Sequence, residues 1–172
     1  MCVRIFSGAT MSDKPGHDAR LAATRLAAVQ AVYEIGMMNV PVDDVLASFA
    51  AERWTAADDE VSDEMARPRP ELLKEIVRGV SSDLGNIDAA VSQAIGSERK
   101  LEDIEAVLLA LLRTATFEFK ARPNVPARAV ISAYVGIGDA FFDDDAPQSK
   151  LIAGVLNGLA RSLRAEEFAR AG

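Results

Sequence analysis

The chain has 172 residues, of which 49% are hydrophobic and 26% charged, with a formal net charge of −7. That length carries the core of one domain or of two small lobes, and the apolar content excludes a disordered chain. The acidic balance excludes a protein that holds nucleic acid by overall charge alone, because phosphate contacts supply most non-specific affinity, although a local basic patch or a basic partner remains compatible with it.

Residues 1–17 read as a flexible arm, since Ser7, Gly8, Pro15 and Gly16 give no helical period. The arm lacks the long apolar stretch of a signal peptide. Cys2 is the only cysteine, so neither an internal disulfide nor a cysteine-based zinc site can form, which suits a reducing, cytoplasmic setting. Asp18 is expected to cap a first helix over 19–38. Ala22, Leu26, Val29, Tyr33 and Met37 form its apolar stripe, with Arg20, Arg25 and Gln30 off it. Pro41 closes that segment. Asp43 then caps a short helix over 44–52 with Val45, Leu46 and Phe49 inward. Residues 55–69 read as a linker: Asp58, Asp59, Glu60, Asp63 and Glu64 repel one another, and Pro68 and Pro70 block regular structure. Their spacing does not match a calcium-binding EF-hand loop.

Pro70 opens a third helix lined by Leu72, Leu73, Ile76, Val77, Val80 and Leu84 and ended by Gly85. Asn86 caps a short fourth helix carrying Ile87, Val91 and Ile95. The stretch over 101–126 is the centre of the chain. Its middle, Ala106-Val107-Leu108-Leu109-Ala110-Leu111-Leu112, is apolar on every face, the pattern of a helix enclosed by other elements. It falls far short of the ~18 apolar residues of a membrane span. A sixth helix follows Pro126, with Val130, Ile131, Tyr134, Val135, Ile137, Phe141 and Phe142. Pro147 opens a seventh with Leu151, Ile152, Val155, Leu156, Leu159 and Leu163, where Gly154 and Gly158 mark a face that another helix can approach closely. The reading is all-α: about seven helices over 18–164, in two small lobes around a central apolar helix, with a fraying tail at 165–172.

The sequence holds no catalytic constellation. His17 is the only histidine, so neither a Ser-His-Asp triad nor a histidine-rich metal site can be assembled. No phosphate loop of Walker or dinucleotide type is present. The carboxylates lie mostly in flexible runs rather than in fixed acid–base pairs. The expectation is a protein that is not an enzyme and takes no cofactor.

Several pieces in order carry a resemblance: Ala28-Val29-Gln30-Ala31-Val32-Tyr33, Glu71-Leu72-Leu73 to Gly79-Val80, Glu105 to Leu112-Arg113, Phe117-Glu118-Phe119, Val125-Pro126 and Gly154-Val155-Leu156. Together they resemble the NusB family of transcription antitermination factors over about residues 18–164. The helical domain that precedes some RNA cytosine methyltransferases has a similar order of elements, but this chain ends where a catalytic domain would begin. The NusB resemblance implies binding of boxA-type leader RNA together with the ribosomal protein NusE, and through them an effect on the RNA polymerase elongation complex. Arg25, Gln30 and Tyr33 match family positions and, with Arg20 and Lys150, form the candidate RNA-binding set. Glu105 matches a position implicated in partner contact, and Arg113 is either a groove-lining cation or one half of a buried ion pair. Simpler roles stand beside these: solubility or pairing with an acid for Arg20 and Arg25, packing for Tyr33, a favourable charge at a helix start for Glu105, solvation for Lys150.

The chain departs from the family in three places. The arginine-rich start of the first helix is reduced to Arg20 and Arg25. The family's Ile-Asn-Glu reads Ile131-Ser132-Ala133, and its Phe-Val-Asn-Gly reads Leu151-Ile152-Ala153-Gly154. A missing aromatic removes a base-stacking surface worth ~1–3 kcal/mol. The alternative reading is therefore a NusB-like paralogue that keeps protein binding and has lost boxA recognition.

Overall fold

The computed structural model describes residues 15–53, 67–143 and 145–170. Residues 1–14 of the expected arm and 55–66 of the expected acidic linker lie outside them. Eight α-helices are present among the described residues: α1 Pro15–Met38, α2 Val42–Ser48, α3 Pro70–Ser82, α4 Leu84–Ile95, α5 Ala106–Ala121, α6 Ala127–Phe141, α7 Pro147–Leu163 and α8 Ala165–Ala169. A wider helical turn, Phe49–Arg53, extends α2, and a tight turn, Leu101–Asp103, leads into α5. Among the described residues no strand is present, and no helix there is long and apolar enough to cross a membrane.

The all-apolar stretch is the centre of the fold. Helix α5 packs against α1, α3, α4, α6 and α7, and Leu108, Ala110, Leu111, Leu112, Ala115 and Phe119 are buried. Helices α1, α2 and α3 form one set around it and α4, α6 and α7 another; the buried side chains of both join in one apolar cluster. The helix starts later than its apolar spacing suggests. Glu105 takes extended backbone angles at its N-terminus, and Leu101 belongs to the separate turn.

Other boundaries also differ from expectation for local reasons. Helix α2 begins at Val42 with Pro41 at its N-cap, so Asp43 lies in its first turn and does not cap it. Helix α1 begins at Pro15 rather than beyond Asp18, a start that suits a residue with no N–H to satisfy. Helix α3 breaks at Asp83, so Gly85 and Asn86 lie inside α4 rather than between helices. The Asn86 side-chain amide donates to Asp83 Oδ1 at 2.6 Å across that break. The expected fraying tail forms α8, and Arg164 at the α7–α8 junction is only 8% exposed. Arg164 donates from Nε to the Phe119 carbonyl, from Nη2 to those of Glu118 and Arg122, and from Nη1 to that of Val125. Carbonyls at a helix C-terminus have no partner within the helix, and this one guanidinium satisfies several of them. Glu167, in contact with Arg164, accepts the Ala127 N–H at 2.9 Å and so caps α6.

The buried face of α1 is the largest correction. The residues that sink are Thr24, Arg25, Ala27, Ala28, Val29, Ala31 and Val32, while Tyr33 and Met37 of the expected stripe are exposed. Small alanines let α1 lie close to α5, whereas large apolar residues alone define the expected stripe. Close approach is strictest at Gly79, where a Cβ would stand 2.0 Å from Phe117 Cε2. Of the two glycines on α7, only Gly158 faces a neighbour, Ala94 of α4; Gly154 faces open space.

Candidate functional site

The side chains singled out from the sequence fall at three stations along α5. The first is at its C-terminal end, where α1 enters. Arg25 is buried there, 5% exposed, and its planar fork closes on Glu118 of α5 at 2.8 Å from Nε and 2.9 Å from Nη2. The Tyr134 hydroxyl of α6 donates to the same carboxylate at 2.8 Å. Glu118 and Tyr134 are fully buried. A buried carboxylate persists as an ion only when paired and hydrogen-bonded, and here three donors from two other helices converge on it. Burial weakens the Arg25 proton, but the hydrogen bonds and charge of Glu118 outweigh that and raise its pKa. Burial, then the charge of Glu118, pushes the Tyr134 phenol well above its ordinary value. Arg25 is therefore buried in an ion pair inside the fold, with its fork turned to Glu118 rather than to solvent. Arg20, one turn and a half earlier, is exposed.

The second station is a groove of about 180 Å³ between the end of α1 and the start of α5. Tyr33, Gly36 and Met37 line one wall, Leu109 and Arg113 the other, and Leu101 and Glu102 close one end. Tyr33 is 38% exposed and Met37 58%. Arg113 lies against Gly36 and holds Asp88 of α4 through two bonds of 2.7 and 2.8 Å. Both roles foreseen for Arg113 are thus present, a groove wall and a half-buried ion pair. The groove is an aromatic-and-methionine surface bordered by a fixed cation, a shape suited to a protein side chain or to a stacked base.

The third station is the N-terminal end of α5. Glu105 is exposed and accepts a 2.8 Å bond from Gln148 at the start of α7. Lys150 is exposed in the first turn of α7. Thirteen residues of chain separate Glu105 from Glu118, which at 1.5 Å per helical residue is roughly 20 Å. Lys150 and Arg20 therefore lie toward opposite ends of α5, while Tyr33 and Arg113 lie between. Gln30 is half-buried on α1.

Sequence reading missed Glu118, Tyr134 and Arg164. A signal existed for the first: a carboxylate flanked by Phe117 and Phe119 in the helix with the all-apolar stretch needs a cation if it is buried. None existed for Arg164, whose acceptors are backbone carbonyls brought to it by folding. Among the described residues no group of three or more His, Cys, Asp or Glu side chains could hold a metal ion.

Comparison with known proteins agrees with this architecture. The model of the NusB family matches residues 22–161. The transcription antitermination protein NusB of Nitrobacter hamburgensis is 34% identical over 151 residues, covering 88% of this chain and 92% of that protein. The NusB of a Bradyrhizobium strain, BTAi1, is 38% identical over 150 residues, covering 87% of this chain and 86% of its own. Among solved structures, Thermotoga maritima NusB ("T. maritima NusB, P3121, Form 2") superimposes with a TM-score of 0.67 at 18% identity, over 86% of this chain and 96% of that one, which speaks for the fold. The chain belongs to the NusB family of transcription antitermination proteins, a family of transcription factors and not of enzymes.

Proposed function

We propose that this protein binds boxA-type leader RNA together with the ribosomal protein NusE and so acts on terminator read-through by RNA polymerase. Family membership supports the class of function. The observation that carries the two-partner reading is the groove in which Tyr33, Met37 and Arg113 meet, beside the end of α5 that bears Glu105. In this reading Glu105 and Arg113 face NusE, and Arg20, Gln30, Tyr33 and Lys150 face RNA. A chain of net charge −7 gains RNA affinity by pairing with a basic protein, which supplies cations for the phosphates. Its place of action in this reading is the cytoplasm.

The burial of Arg25 favours a second reading. The arginine that matches the family is spent on Glu118, and Ser132, Ala133 and Leu151 stand where the family carries polar and aromatic groups. A protein that keeps the NusE-facing surface and has lost boxA recognition has these features. Titration of fluorescent boxA RNA with this protein, alone and with NusE, at two salt concentrations separates the two. Salt-sensitive binding strengthened by NusE supports the first reading. NusE binding without RNA affinity supports the second, and binding of neither refutes both.

A further inference from the structure

We infer that the cavity between the α4–α5 connection and the start of α7 is a slot for one unstacked guanine base of single-stranded RNA, with Arg99, Asp103 and Gln148 on its polar edge. The slot presupposes the RNA-binding reading above and adds recognition of a base to it.

The sequence builds the slot where two helices end or begin. Gly96 stops α4 with a left-handed backbone, φ 85°, a conformation open to a residue without Cβ. The chain then runs through Arg99 and Lys100 into the turn Leu101–Asp103, and Ile104 and Glu105 lead on to α5. Pro147, in the first turn of α7, faces this connection. Between the two lies a cavity of about 200 Å³. Pockets for drug-sized ligands run to about 300–1,000 Å³, so this one takes a single ring system and not a whole cofactor. Leu108, Pro147 and Leu151 give it apolar surface.

The polar edge carries both donors and acceptors. Gln148 Nε2 donates to Glu105 Oε1 at 2.8 Å, which fixes the amide and leaves its carbonyl oxygen as an acceptor. Asp103 Oδ2 accepts the Lys100 N–H at 3.2 Å, so the carboxylate is tied to its own turn with Oδ1 left over. Arg99 is exposed, and its guanidinium has no hydrogen bond or ion pair among the described residues. Charge selects the occupant. A phosphate in the slot would stand against Asp103 and Glu105, and a lysine or arginine side chain against Arg99. A neutral ring with donors and acceptors on its edge meets neither repulsion. Guanine offers imino and amino N–H groups to a carboxylate and an amide oxygen, and O6 and N7 to a guanidinium fork. Uracil has a single N–H and no amino group. Sequence-specific RNA recognition splays single bases out of the strand in this way. Lys150, exposed and next to Leu151 in the chain, puts a cation for the backbone phosphate beside the slot.

The test uses the full chain with NusE, a boxA-type RNA, and three fluorescein-labelled strands of equal length: oligouridine with one central guanosine, the same strand with inosine in its place, and oligouridine alone. Inosine lacks only the amino group. Guanosine should tighten binding over oligouridine by about tenfold, within the range that one good bidentate pair supplies, and inosine should fall between. Arg99→Lys keeps the charge and loses the planar fork. It should abolish the guanosine preference while the melting temperature and the salt slope stay at wild type. Leu151→Trp fills the slot with its own ring and should abolish the preference too. Equal binding of the guanosine and uridine strands, or of neither, by a protein that binds boxA-type RNA refutes the slot and leaves RNA binding standing. A preference that survives Arg99→Lys also refutes it, and weakened NusE binding in that same variant assigns the cavity to a protein side chain instead. A wild type that binds none of the RNAs refutes the RNA-binding reading and the slot together.

Discussion

Arg25→Ala sets the buried ion pair against the family expectation of a surface arginine. Glu118 is fully buried and has Arg25 at 2.8 and 2.9 Å and Tyr134 at 2.8 Å. Removing Arg25 leaves a carboxylate in the core with one neutral donor and with Arg122, 3.8 Å away, as the remaining cation. Breaking a buried pair from one side costs about 3–5 kcal/mol, against a total stability of about 5–15 kcal/mol for a typical domain. At roughly 2–4 °C per kcal/mol for a chain of this size, the melting temperature should fall by about 6–20 °C. Removing both charges together, as Arg25→Met/Glu118→Leu, should cost less than the single change, because no uncompensated ion remains. Urea denaturation and thermal melts of the wild type, both single variants and the double variant supply the cycle. Melting of Arg25→Ala within a degree or two of wild type, with an RNA salt slope lower by one contact, would refute the buried pair. That pattern belongs to an exposed phosphate ligand.

Leu111→Ala, inside the all-apolar helix and fully buried, should cost about 2–5 kcal/mol in urea denaturation; a near-neutral result would contradict the central position of α5. Gly79→Ala drives a methyl into the Phe117 ring and should lower stability by about 1–3 kcal/mol, whereas Gly154→Ala, facing open space, should not lower it. Glu167 is held below its ordinary carboxyl value by the Ala127 N–H and then by Arg164. Its contribution to stability is therefore full at neutral pH and is lost as pH falls from the ordinary carboxylate range through the depressed folded value. Glu167→Gln should melt earlier than wild type at pH 7, with the two melting curves converging in acid; a gap that stays constant with pH would rule out the cap.

The fold was legible wherever large apolar residues or prolines carry the signal. Seven apolar residues in a row place α5 at the centre, and Pro126 and Pro147 place the starts of α6 and α7. The orientation of α1 was not legible by the same route. Its buried face is built from Ala27, Ala28 and Ala31 with Thr24 and Arg25, residues that a stripe of large side chains overlooks. Tyr33 and Met37, taken for the inner face, are for that reason the exposed wall of the groove. Helix α8 was illegible because its anchor is a guanidinium bonded to carbonyls, and a backbone carbonyl carries no residue identity.

The candidate residues were legible by position, and their burial was not. Arg25 matches a family arginine, yet a position in an alignment does not say whether a side chain faces water. What decides that here is Glu118, ninety-three residues away in sequence and 2.8 Å away in space.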